Sequence, residues 1–209
     1  MPQVAAVITS DEERENWCQW FTPTKVAFDF QKWARVDEAE LIVDPAAGEG
    51  SLTPDREGVV AVEIDPDIIP ELQYWRPRAR IICADFLHLE VPQLRADLAI
   101  LNPPYANNGE AFFIYRSLLW ARRACALIRT VALNGKDRFQ DCWRYVQPIR
   151  IAILTYRPHF VGLGGTPTKF TPMADYMAVE CILRPEPLPM SDYEKWTESV
   201  SFGWVDWKS

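Results

Sequence analysis

Four apolar runs, each closing on a polar residue, organise the first half of the chain. Residues 41–43 run into Asp44, 59–62 into Glu63, 79–84 into Asp85, and 96–101 into Asn102. Near-continuous apolar segments of this length are expected of parallel strands covered on both faces. Their polar residues sit at the carboxyl ends, where open α/β sheets hold ligands. Further on, the amphipathic spacing predicts a long helix over 109–124, a short strand at 131–133 and a helix over 137–146. Strands follow at 149–154 and 176–183, separated by a Gly/Thr/Pro-rich loop at 162–172. The expected fold class is α/β: a mostly parallel twisted sheet, a C-terminal antiparallel hairpin, and helices on both faces. The tail after Pro185 is polar and Trp-bearing with weak periodicity.

Composition narrows the setting. At 209 residues the chain suits one domain with a full core, plus small appendages. Residues 1–8 are too short and lack the basic flank of a signal peptide, and no long apolar span follows, so a cytoplasmic location without a membrane is expected. Cys18, Cys83, Cys125, Cys142 and Cys181 are odd in number and contain no C-x-x-C, which predicts free thiols and no metal site. The net charge of −7 argues against a polyanion partner. Its distribution argues back. Between Arg116 and Arg157 nine basic residues face only Asp137 and Asp141, predicting either a locally basic surface or solvated helix faces.

Each strand end carries candidate chemistry. Asp44-Pro45-Ala46-Ala47-Gly48-Glu49-Gly50 puts small residues after a strand, where a ligand can approach the backbone and amides can face an anion; a plain Gly-rich turn reads the same way. The spacing is not the G-x-G-x-x-G of dinucleotide folds. Glu63 can accept both hydroxyls of a ribose, with Asp65 as the local competitor. Asp85 and Phe86 suit an adenine amino group and its ring. Asn102-Pro103-Pro104-Tyr105 is the most specific signal. Its prolines remove two backbone donors and leave rigid carbonyls to accept hydrogen bonds, with an aromatic plate behind them.

With these residues in place the chain resembles the S-adenosylmethionine-dependent DNA adenine-N6 methyltransferases, phage and prophage members in particular. Thr22-Pro23 resembles the Thr-Pro element that precedes the fold in that family. Residues 44–50 resemble its cofactor loop, with Asp44, Ala46, Gly48 and Gly50 in contact positions. Glu63 matches the ribose acid, Asp85 and Phe86 the adenine site, and 102–105 the catalytic tetrapeptide. Phe160, in Arg157-Pro158-His159-Phe160, matches a second aromatic on the target base. The resemblance covers about residues 17–184 and implies a Rossmann-like class I methyltransferase domain. An N-terminal arm (1–16), a C-terminal extension (185–209) and no separate target-recognition domain complete the expected organisation.

The resemblance implies a cofactor, S-adenosyl-L-methionine, and a double-stranded DNA partner whose adenine is flipped out of the duplex. Asn102 and the Pro103 carbonyl would accept the two protons of the adenine amino group, freeing its lone pair, while Tyr105 and Phe160 hold the base. The same tetrapeptide serves enzymes acting on RNA adenine, on cytosine N4 or on a protein glutamine amide, so these stay open. A cofactor-binding module without turnover is the alternative of a different class. The chain departs from the family between Gly50 and Val59, where Pro54 and a short span predict that the usual helix is shortened or lost. Sequence specificity is then expected from the loops at 106–109 and 162–172.

Overall fold

The computed structural model describes residues 21–105, 109–161, 174–189 and 201–205. The four apolar runs form β1 (Ile42–Asp44), β2 (Val59–Glu63), β3 (Arg80–Cys83) and β4 (Ala96–Leu101), all parallel. β1 lies between β2 and β4, pairing Val43 with Val60 on one side and with Ala99 on the other.

The next stretch corrects the sequence expectation. Helix α3 (Gly109–Trp120) stops four residues early, and the chain passes directly into β5 (Ala121–Arg129), parallel to β4. Arg122 and Arg123 prolong a helix-like polar pattern. The run Ala124-Cys125-Ala126-Leu127-Ile128 decides otherwise, because every one of its side chains is buried. A helix covered on one face cannot bury five consecutive residues, whereas a central strand must. Residues 131–133, expected as a strand, belong instead to a 3-10 turn (Thr130–Leu133). The helix expected over 137–146 is a single α turn (Lys136–Arg138) running into a π-helical segment (Phe139–Trp143).

β6 (Val146–Leu154) starts three residues before its predicted position, with its register shifted between Pro148 and Arg150. Proline has no N–H to give the ladder, so a shift there is expected. β7 (Tyr176–Leu183) has the predicted bounds and inserts between β5 and β6, antiparallel to both. β8 (Ser201–Val205) adds to β6 in parallel, a strand that the polar tail did not announce. The sheet order is β3-β2-β1-β4-β5-β7-β6-β8.

Side chains alternate across this sheet into two layers. One layer gathers Val43, Ala99, Leu101, Ala126 and Ile128 beneath α3 and Trp143. The other gathers Ile42, Leu98, Ile100, Cys125 and Leu127 beneath α1 (Thr24–Trp33), which buries Val26, Ala27 and Phe30. A shorter helix, α2 (Ile69–Trp75), buries Leu72 against Ala61 and Ala47. Cys125, Cys142 and Cys181 are buried free thiols, and Cys83 is exposed. No described helix is long and apolar enough to cross a membrane.

An arginine clasp ties α1 to the sheet. Arg35 ends the helix region at φ 54° and pairs with Glu180 of β7, a carboxylate that is almost fully buried. Arg123 and Arg150 reach the same carboxylate at 3.3 and 3.0 Å. Arg123 also donates to the carbonyls of Ala34 and Arg35, and Arg150 to that of Trp33, the acceptors a helix C-terminus leaves unpaired.

No helix forms between Gly50 and Val59, as the short span predicts. Other contacts hold this segment. The Thr53 hydroxyl donates to Asp44 and Gln31 to the Leu52 carbonyl, while Arg56 donates to the Ala39 carbonyl and Arg78 binds Asp55.

Candidate active site

The carboxyl ends of β1, β2 and β4 open onto one cavity of about 300 Å³. It lies where the strand order turns from β2 on one side of β1 to β4 on the other, the expected place for a ligand in an open α/β sheet. Thr22, Ala46, Gly48, Glu63, Asp85, Phe86 and 102–105 all line it. Pro23, Asp44, Gly50 and Phe160 do not; Asp44 and Gly50 are hydrogen-bonded to Ala46 and Ala47, Phe160 packs on Tyr105, and Pro23 follows Thr22 in the chain.

The loop after β1 shows why small residues are needed. Gly48 has φ 53°, and a Cβ there would come within 2.8 Å of the Phe21 ring. Its N–H donates to Glu63 Oε2 at 2.7 Å, while the N–H of Asp65 donates to Oε1 at 2.8 Å. The β2 acid is thus fixed by two backbone amides with its carboxylate facing the cavity. Burial pushes the Glu63 carboxyl upward, against the effect of those amides. Asp65, its competitor, accepts from the N–H of Asp67 and does not line the cavity.

Asp44 lies under the loop. Its Oδ2 accepts from the buried Thr53 hydroxyl at 2.7 Å and its Oδ1 from the Ala46 N–H at 3.3 Å. Burial dominates these bonds, so the carboxyl is pushed up to about 7. Gly50 (φ 86°) turns the chain against Leu72 and Arg76, and its carbonyl accepts from Arg76 Nε at 2.8 Å.

At the end of β3, Asp85 caps the turn Phe86–His88, with Oδ1 accepting from the Leu87 N–H at 2.9 Å and Oδ2 lying 2.6 Å from His88 Nδ1. Phe86 stacks on Phe113 of α3, with centroids 5.8 Å apart and planes inclined at 29°. Phe113 lines the cavity too, as do Phe21 and Ile68, three residues the sequence reading missed. Phe113 sits on a helix face indistinguishable from ordinary core. Phe21 is delivered by a contact remote in sequence, a two-way backbone bridge to Val161 (2.9 and 3.1 Å).

The 102–105 corner is tightly held. Asn102 Nδ2 donates to Thr22 Oγ1 at 3.1 Å, and Tyr105 donates its phenolic proton to Asn102 Oδ1. Thr22 therefore fixes which way the amide faces. Burial raises the Tyr105 phenol well above its ordinary range, so it stays a donor. The Tyr105 and Phe160 rings are 6.2 Å apart and inclined at 63°, and Tyr176 packs against both. A flat base between two rings needs near-parallel planes about 7 Å apart, two contact distances. One ring must therefore turn before a base can enter between them.

The basic stretch is turned inward in part: Arg122 and Lys136 stay exposed, and the Arg157–Asp175 pair lies at the surface. Arg123 and Arg150 serve the Glu180 clasp, Arg129 pairs with Glu110, and Arg157 pairs with Asp175. Arg116 and Arg138 donate to the carbonyls of Leu89 and Asn134. Of the loops from which specificity was expected, residues 106–108 of 106–109 and all of 162–172 lie outside the described residues, as does the arm at 1–16.

No protein-family model matches the chain, and no curated protein matches it in sequence. Solved structures match its fold. A proposed RNA methyltransferase of Pyrococcus horikoshii superposes with TM-score 0.62 at 13% identity, over 87% of this chain and 93% of that one. A proposed class I S-adenosylmethionine-dependent methyltransferase of Listeria monocytogenes gives 0.61 at 12% identity, over 88% and 65%. The modification subunit of a proposed type I restriction enzyme of Vibrio vulnificus gives 0.55 at 13% identity, over 81% and 45%. The chain thus spans just under two thirds of the Listeria protein and under half of the Vibrio subunit. The fold is the Rossmann-like class I methyltransferase fold.

Proposed function

We infer that this chain is an S-adenosylmethionine-dependent methyltransferase acting on an exocyclic amino group, with N6 of adenine in DNA as the acceptor. One observation carries the reading. Asn102, Pro103 and Pro104 line the same cavity as an amide-fixed β2 acid and a β3 acid–aromatic pair. The donor set fits the cofactor: Glu63 for the ribose hydroxyls, Asp85 and Phe86 for the adenine, and the backbone of 46–48 for the remainder. When bound, S-adenosylmethionine supplies a methyl group on a sulfonium sulfur, which an amine lone pair takes by in-line displacement, leaving the neutral thioether.

The protein's own residues prepare that lone pair. An aromatic amine is a poor nucleophile because its lone pair is delocalised into the ring. Asn102 Oδ1 and the Pro103 carbonyl accept its two protons and favour pyramidal nitrogen, so positioning and electrostatics supply most of the effect. Thr22 holds the amide so that oxygen, not nitrogen, is presented. The methylated ammonium loses its surplus proton to water. Tyr105 is the stacking ring, with Phe160 beside it, and a flipped base reaches them once one ring turns. The Vibrio modification subunit among the fold neighbours supports a DNA acceptor, and the Pyrococcus protein supports RNA.

A protein glutamine amide is the second reading, favoured by the inward commitment of Arg123, Arg129 and Arg150, which leaves less positive charge for phosphates. The amide offers the same two protons to Asn102 and Pro103. Incubation with methyl-labelled S-adenosylmethionine and duplex DNA, single-stranded DNA, RNA or protein extract separates the readings. Label in N6-methyladenine of DNA supports the first, and label confined to glutamine overturns it.

A further inference from the structure

The first turn of α3 and the last residue of β5 meet directly behind the 102–105 corner. Glu110 is fully buried and takes two bonds from the Arg129 guanidinium, Nε to Oε1 at 2.7 Å and Nη2 to Oε2 at 2.9 Å. The same Nη2 donates to the Tyr105 carbonyl at 2.7 Å, and the guanidinium carbon lies 5.3 Å from the Tyr105 ring centroid. One residue before Glu110, Gly109 approaches so closely that a Cβ would come within 2.3 Å of the Pro104 carbonyl. Neither Glu110 nor Arg129 lines the cavity.

Desolvation offsets most of the attraction within a buried ion pair, so such a pair is a poor device for stability alone. A two-pronged carboxylate–guanidinium fork is a good device for fixing geometry. Here it fixes the backbone and ring of Tyr105, and the Tyr105 phenol in turn fixes Asn102 Oδ1. We propose that Glu110 and Arg129 are positioning residues for methyl transfer, which hold Tyr105 and through it the Asn102 acceptor in register with the substrate amine. The proposal rests on the function inferred above. Its residues are distinct from the groups that touch the substrate or the cofactor.

The test compares Arg129→Lys, Glu110→Gln, the double variant Glu110→Leu/Arg129→Met and Asn102→Ala. Lysine keeps the charge but has no planar fork to span Glu110 and the Tyr105 carbonyl together. Cofactor-site integrity is read by calorimetry with S-adenosylhomocysteine. Turnover is read with methyl-labelled S-adenosylmethionine and unmethylated genomic DNA, or whichever of RNA or protein the wild type labels instead. The double variant should bind S-adenosylhomocysteine as the wild type does and lose about 10²-fold in kcat, the scale of a 1 Å misplacement. Arg129→Lys should fall between the two. Unchanged kcat in both, beside an inactive Asn102→Ala, would overturn the proposal and leave the function standing. Retained transfer by Asn102→Ala would overturn both. If the double variant does not fold, Glu110→Gln decides. A lowered thermal midpoint with full kcat makes the pair structural and refutes the proposal, while lowered kcat at an unchanged midpoint supports it.

Discussion

Asp44 sits beneath the cavity with its carboxyl pushed up to about 7 from an ordinary 3.8, so folding strips water from a charge without fully replacing it. Asp44→Asn removes that charge while keeping the shape. The unfolded chain releases the proton near pH 3.8 and the native state holds it to about pH 7. Through that window the native state binds more protons than the unfolded one, so wild-type stability from this group falls as pH rises and is level above it. A span of about three pKa units corresponds to about 4 kcal/mol at pH 8, an upper bound. Against it, an amide presents one oxygen to two donors, Thr53 and the Ala46 N–H. One donor loses its acceptor, at about 1–3 kcal/mol. The variant should therefore gain about 1–3 kcal/mol at pH 8, a rise of roughly 2–12 °C in Tm for a chain of this size.

Below the window the order reverses, because only the lost hydrogen bond remains. Glu63 is shifted in the same direction and remains in both proteins, so the quantity to follow is the difference between them. Urea unfolding from pH 4 to 8.5 measures it. A difference that grows through the window and then flattens supports the argument. A constant difference, or a less stable variant at pH 8, refutes it.

Three further outcomes follow from the same geometry. Asp44→Asn should bind S-adenosylmethionine more weakly at pH 8 than the wild type, checked by calorimetry, since the cofactor's sulfonium and ammonium both favour an anion nearby. Thr22→Val removes the acceptor of Asn102 Nδ2, worth about 1 kcal/mol, and should lower kcat about fivefold, while Thr22→Ser restores it. Glu180→Gln strands three arginines and should cost about 3 kcal/mol in urea unfolding, whereas loss of the half-exposed Arg35 alone should cost under about 1 kcal/mol.

Much of the fold was legible because the apolar runs of β1 to β4 are short, continuous and each punctuated by a polar residue, of which Glu63, Asp85 and Asn102 line the cavity. Asn102-Pro103-Pro104-Tyr105 was legible because two prolines after a buried strand have few other uses. β5 was not, because Arg122 and Arg123 continue the polar rhythm of α3 and nothing local marks Trp120 as the end. The turn of Arg123, Arg129 and Arg150 toward Glu180 and Glu110 was hidden for another reason. Their partners lie in other elements, and a charge count cannot tell an inward guanidinium from a solvated one. Thr22 was placed near the cofactor by resemblance, yet its contact with Asn102 spans 80 residues and exists only once Phe21 is bridged to Val161. Phe160 was expected on the target base, but its ring lies inclined to those of Tyr105 and Tyr176, an arrangement that would have to change for that role.

The central claim is that the 102–105 corner grips an amino group for methylation. Its most direct test incubates wild type and Asn102→Ala with methyl-labelled S-adenosylmethionine and unmethylated duplex DNA, digests the DNA to nucleosides and identifies the product by mass spectrometry. The account predicts N6-methyldeoxyadenosine from the wild type and none from Asn102→Ala, which still binds S-adenosylhomocysteine. Equal product from both proteins would contradict it.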